Sequence, residues 1–207
     1  MKETLIISFL IIFIYIFLIL NKNNLVLIES QGKKALVYNS KSKDVREKSA
    51  NLLNQLTVNM YKVRDHLKSN INTCIQKYST SNFSEDDIRE SIEMLNTNLN
   101  VNKTKIYENA PSSEYTSYSV NKGEELAFCL ISKESGIHHE LNLIMYVALH
   151  EMAHIGCREI GHTQLFKDIF KMYTKEAMEM DPPVYVYKDY DSNPVEYCGM
   201  TLSSTIV

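Results

Sequence analysis

The sequence lacks the surplus of positive charge on which nucleic-acid binding depends. Its 22 Lys and Arg stand against 25 Asp and Glu, for a formal net charge of -3, so the electrostatic footprint of a DNA- or RNA-binding protein is missing and no nucleic-acid partner is expected. A cysteine framework is missing too. Cys74, Cys129, Cys157 and Cys198 are widely spaced, with no CxxC pair, which makes reduced thiols the expectation. Internal repeats and low-complexity segments are also absent, which leaves an ordinary globular chain of one domain.

A further absence lies near the N-terminus. Residues 5–20 contain no charged residue and are almost wholly Ile, Leu and Phe, with Ser8 and Tyr15 as the polar interruptions. No small-residue cleavage site follows, because the next residues are Asn21, Lys22, Asn23 and Asn24. A cleaved signal peptide is therefore disfavoured. The run would make about 24 Å of helix against a hydrocarbon core of roughly 30 Å, and it reads as an uncleaved single-pass anchor. The expected division is residues 1–24 as a transmembrane anchor with a short tether and residues 25–207 as the domain. Lys22, Lys33 and Lys34 after the run outnumber Lys2 before it, which points the domain into the cytoplasm.

What the chain does have is the stretch 141–170, and within it His150-Glu151-Met152-Ala153-His154. This is an HExxH pattern in an apolar segment. Residues four apart on a helix share a face, with their side chains about 6 Å apart, so His150 and His154 are pre-aimed at one ion. Glu151 leaves the helix about 100° further round, where it can reach a water without ligating the metal. A catalytic zinc takes a third protein ligand. Gly156 can close the helix in a left-handed cap, a short loop follows, and His162 then opens a second apolar-periodic helix, so the returning chain brings His162 to the pair. His138 and His139 lie about 16 Å up the helix and are rejected as ligands.

His150-Glu151-Met152-Ala153-His154, then Gly161-His162, then Phe166, resembles the HExxH and GHxxxF arrangement of WLM-type and SprT-type zinc metallopeptidases, which are zincins. More of the chain, from about Ile28 to Met200, is similar to small metallopeptidases of that kind encoded by large DNA viruses. By position, the resemblance implies His150, His154 and His162 as zinc ligands and Glu151 as the catalytic base. It also implies a virion or host membrane as the location. The chain departs from the metzincin pattern at Cys157 and Ile160, and it lacks the basic DNA-binding tail of the repair proteases.

Around the site the sequence predicts a hairpin over 25–39, a long amphipathic helix over 44–68, and a helical piece over 71–78. Ser84 is expected to cap a further helix. Two strands, 115–120 and 125–132, are expected around Asn121-Lys122-Gly123, and the resemblance to zincins implies that 126–131 pairs with extended substrate. A short strand over 184–187 is possible in the proline-marked tail, and Met200 reads as core. Glu176 and Glu179 read as two exposed acids, with orienting a ligand histidine as the alternative. Tyr185, Tyr187, Tyr190 and Tyr197 are candidates to cover the site.

The expectation is an α+β, zincin-like metallopeptidase domain preceded by one transmembrane helix. It would hydrolyse peptide bonds of a protein or peptide substrate through water activated by Zn2+, with Glu151 as general base. The alternatives are a membrane-tethered zinc-binding module without turnover and a zinc amidase acting on a non-peptide substrate.

Overall fold

The computed structural model describes residues 24–40 and 42–207. Strands β1 (Leu25–Ser30) and β2 (Lys33–Tyr38) form an antiparallel hairpin whose two-residue turn, Gln31-Gly32, has positive φ at both positions. That backbone twist matches the twist of the flanking strands. Next come helices α1 (Lys43–Ser69), α2 (Ile71–Tyr78) and α3 (Glu85–Asn98). α3 begins in a capping box, with Ser84 accepting from the Asp87 amide and the Asp87 carboxylate accepting from that of Ser84. Each thereby satisfies an amide that the helix start leaves without a partner.

β3 (Lys105–Glu108), β4 (Tyr118–Val120) and β5 (Glu125–Phe128) complete a five-stranded sheet in the order β1-β2-β3-β5-β4. β3 runs parallel to both β2 and β5, while β4 is antiparallel to β5 and forms the edge opposite β1. α4 (Leu141–Gly156) and α5 (Gln164–Glu179) follow, and a small separate hairpin, β6 (Val195–Tyr197) with β7 (Met200–Leu202), lies near the C-terminus. Its turn, Cys198-Gly199, again has positive φ at both residues.

The expected α+β fold is corrected here to a mixed α/β one. Three helices intervene between β2 and β3, and this crossover makes β2 and β3 parallel neighbours. β3 has only four residues, too short for its alternation to stand out. The expected transmembrane helix, the single-pass membrane location and the cytoplasmic placement derived from it are corrected as well. Among the described residues no helix is long and apolar enough to cross a membrane. α1 has the length but carries charge along one side, whereas α4 is apolar but only 16 residues long. The run at 5–20 lies outside the described residues.

α4 is the centre of the molecule, packing on α1, α3 and α5 and also touching β4 and β5. Ile144, Met145, Leu149, Met152 and Ile155 are fully buried, and each such side chain contributes about 1.5–3 kcal/mol through burial. Gly156 ends α4 without a positive φ, so the expected left-handed cap is not formed. What Gly156 allows instead is close approach. A Cβ there would lie 2.2 Å from the Tyr173 Oη and 2.9 Å from the Ser91 carbonyl oxygen. No strand forms over 184–187, and Met200 is exposed rather than core.

Candidate metal centre and active-site cleft

α4 presents His150 and His154 from one face, one turn apart. The chain then runs through a short loop to His162, just ahead of Thr163, whose side chain caps α5 by accepting from the Phe166 amide. The Nε2 atoms of the three histidines form a nearly equilateral triangle: 3.2 Å from His150 to His154, 3.2 Å from His154 to His162, and 3.1 Å from His162 to His150. Hydrogen bonds alone cannot satisfy three ring nitrogens that face one another, because each neutral imidazole nitrogen either donates or accepts. Ligands about 2.0 Å from a tetrahedral zinc lie about 3.3 Å apart. The donor set and its spacing therefore fit the ion.

The three rings are backed by Phe166, which is buried and has ring centroids 4.3 Å from His154, 4.9 Å from His162 and 5.0 Å from His150. This apolar backing disfavours the charged form of His150 and His154. Burial, with His154 and His162 adding to it, pushes His150 down to about 3; burial, with His162 and Lys122, pushes His154 down to about 4. Both are thus neutral near pH 7, ready to donate a lone pair. Glu151 is buried beside them, and burial raises its carboxyl to about 7.

The histidines and Glu151 open onto a cleft of about 520 Å³ whose opposite wall is formed by Ser117, Tyr118 and Ser119 on and next to β4. Lys122, in the turn after β4, reaches across and donates from Nζ to the carbonyl oxygens of His154 (3.2 Å), Glu159 (2.9 Å) and Cys157. Backbone carbonyls at a helix end lack intrahelical partners, and a cation there is favourable. Arg158 in the loop pairs with Asp87 at 2.7 Å and Glu90 at 2.6 Å on α3. Together Lys122 and Arg158 hold the loop that carries His162.

Other candidate residues fall elsewhere. The Nε2 of His138 lies 3.0 Å from the Ser49 Oγ, and that of His139 lies 3.3 Å from the Cys198 Sγ. Glu176 is buried but touches no ligand histidine; it accepts from Lys77 at 3.0 Å and Tyr78 at 2.8 Å and pairs with His66 at 2.9 Å. Glu179 pairs with Lys77. None of the four tail tyrosines lines the cleft. Tyr197 is buried behind it, its Oη 2.6 Å from the Ser117 Oγ and donating to the Cys129 carbonyl oxygen at 3.0 Å. Cys157 is buried with a free thiol. Cys129 and Cys198 form a disulfide, against the expectation of four thiols. Sequence reasoning missed Lys122, Ser117 and Arg158. Their roles depend on carbonyls and side chains that come near them only after folding.

No family model matches the chain. The crystal structure of Wss1 from Saccharomyces cerevisiae is similar over 49% of this chain and 82% of that one, at 17% identity and a TM-score of 0.32, too loose a likeness to define the fold. Uncharacterized protein 136R of Invertebrate iridescent virus 6 is 38% identical over 66 residues, 31% of this chain and 36% of that protein. Uncharacterized protein 042R of Invertebrate iridescent virus 3 is 39% identical over 79 residues, 38% of this chain and 45% of that one. Uncharacterized protein R325 of Acanthamoeba polyphaga mimivirus is 37% identical over 176 residues, covering 85% of this chain and 80% of its own length. The chain belongs to the family of that mimivirus protein.

Proposed function

We propose that the chain is a zinc metallopeptidase in which His150, His154 and His162 hold the metal and Glu151 is the general base. The observation that carries this reading is the convergence of three Nε2 atoms to within 3.1–3.2 Å of one another, in the same cleft as a buried carboxyl. A zinc ion held there supplies Lewis acidity to a substrate carbonyl and lowers the pKa of water. Glu151 takes the proton from the attacking water and delivers it to the leaving amine. Three protein ligands, rather than the four usual in structural zinc sites, leave a position for chemistry. This favours an enzyme over a binding module.

Peptide rather than small-amide substrates are favoured by β4. It is one of the two edges of the sheet, the one that forms the wall of the cleft facing the histidines, so an extended chain can add to it through backbone hydrogen bonds. The inner strand, β5, is paired on both sides, by β3 and by β4. Substrate pairing therefore moves from 126–131, where the sequence suggested it, to the edge strand. Metal analysis of the purified chain with its Cys129–Cys198 disulfide intact tests the ligand set. Zinc at about one per chain should be lost in His150→Ala, His154→Ala or His162→Ala and kept in His138→Ala. Zinc retained after His162→Ala would overturn the assignment.

A further inference from the structure

Away from the catalytic cleft, Cys129 at the end of β5, Cys198 in the β6–β7 turn and His139 just before α4 bring three ligand atoms within 4.8 Å of one another. Both cysteines are buried, with Cα atoms 6.4 Å apart across 69 residues of sequence. The His139 Nε2 lies 3.3 Å from the Cys198 Sγ, and its ring packs on Tyr197 with centroids 5.0 Å apart. Its backbone amide donates to the Leu130 carbonyl oxygen, fixing where the ring starts from.

We propose that these three residues form a second, thiol-dependent metal site, closed while Cys129 and Cys198 are disulfide-bonded and opened by reduction. Two thiolates and an imidazole are the ligands that zinc selects. Two sulfurs about 2.3 Å from one zinc stand about 3.8 Å apart, a separation the pair can reach once the bond between them is broken. The Ile131 carbonyl oxygen lies 3.3 Å from the Cys129 Sγ and 3.5 Å from the Cys198 Sγ, so it can accept from either thiol in the reduced, metal-free form. A cleft of about 590 Å³, lined by His139 and Glu196 among others, brings solvent to the histidine of the site.

The site would preserve an attachment. Among the described residues β6 and β7 pair only with each other, and the disulfide is the covalent tie between their turn and the end of β5. A metal bridging the same two sulfurs would restore that tie under reducing conditions. In the cell the reductant is a dithiol, which gives two electrons and two protons to the S–S bond and becomes a disulfide itself. Metal ligation then releases the two thiol protons.

Cobalt(II) titration of the full chain tests this, because thiolate ligation gives a sulfur-to-cobalt charge-transfer band that histidine ligation does not. A phosphine serves as the reductant; it takes the oxygen of one water, and the two hydrogens of that water end on the two sulfurs. The reduced chain should bind one more cobalt than the oxidised chain and show the band, whereas the oxidised chain should not. Cys198→Ser should abolish the band, and His139→Ala should weaken this binding by at least about tenfold, as even the loss of an outer-shell partner does. His154→Ala should leave the band intact, so failure of the catalytic site and failure of this one are distinguishable. Equal cobalt content in oxidised and reduced wild-type chains with no band, or a band surviving Cys198→Ser, would overturn the proposal.

Discussion

Lys122 donates from its Nζ to the carbonyl oxygen of His154, 3.2 Å away, and so joins the turn between the cleft strands to the helix end that carries a ligand histidine. The same amine reaches the carbonyls of Cys157 and Glu159. Lys122→Met keeps most of the stem but removes all three bonds and the charge at the helix C-terminus. Unfolding in urea should show a loss of about 1–2 kcal/mol, and zinc affinity should fall with it, because the loop to His162 loosens. An unchanged midpoint together with an unchanged affinity would show that this amine does not hold the loop.

Gly156→Ala should be costly even though alanine is the better helix former. The new methyl would meet the Tyr173 Oη and the Ser91 backbone, at 2.2 and 2.9 Å. Forcing α3 and α5 away from α4 should cost about 1–3 kcal/mol. In a Tyr173→Phe background the cost should shrink, because the nearer obstacle is gone. A double-mutant cycle in urea reads this coupling directly, and strictly additive effects would contradict it.

Glu108 makes the metal-free chain sensitive to alkali. Its carboxyl is 3% exposed and accepts from the Tyr38 amide at 2.8 Å and the Ser49 Oγ at 3.0 Å, yet burial outweighs these bonds and raises it from 4.5 to about 7. The folded state therefore binds this proton more tightly than the unfolded state does. The stabilisation is complete below about pH 4.5 and is lost as pH rises through about 7, to a total on the order of 3 kcal/mol. Glu108→Gln can keep both contacts without a charge, and its stability relative to wild type should climb across that window. The comparison, made by denaturant unfolding in a chelator, cancels the opposite trend from His150 and His154, whose depressed values cost stability as pH falls below about 6.5. A difference that stays flat from pH 4.5 to 8 would remove Glu108 as the cause.

Substrate binding should order the edge strand. In the Glu151→Gln chain loaded with zinc, an extended peptide should slow amide hydrogen exchange at 117–120 and leave 126–128 unchanged, since both sides of β5 are already paired. Protection confined to other parts of the cleft would place the peptide elsewhere.

The parts of this molecule that could be read in advance are those set by neighbours in sequence. The HExxH spacing, the Ser84 cap, the hairpin turning within 31–34 and the return of the chain to His162 each need only local geometry. Pairings made across long separations could not be read that way. Cys129 meets Cys198 only because the tail doubles back, and no spacing rule encodes 69 residues. Glu176 looked like a surface acid on an amphipathic helix, but α1 and α2 bring it His66, Lys77 and Tyr78. The β6–β7 hairpin escaped notice because its strands have three residues each and its turn is Cys-Gly rather than Asn-Gly.

The central claim is that Glu151 moves the proton in a reaction that the three histidines support through a metal. The most direct measurement compares cleavage of an unfolded protein by wild-type and Glu151→Gln chains shown to carry equal zinc. The wild-type chain should cleave it, and the Glu151→Gln chain should be slower by about 100-fold or more, the scale on which general-base catalysis acts. Equal cleavage by the two chains would contradict the account.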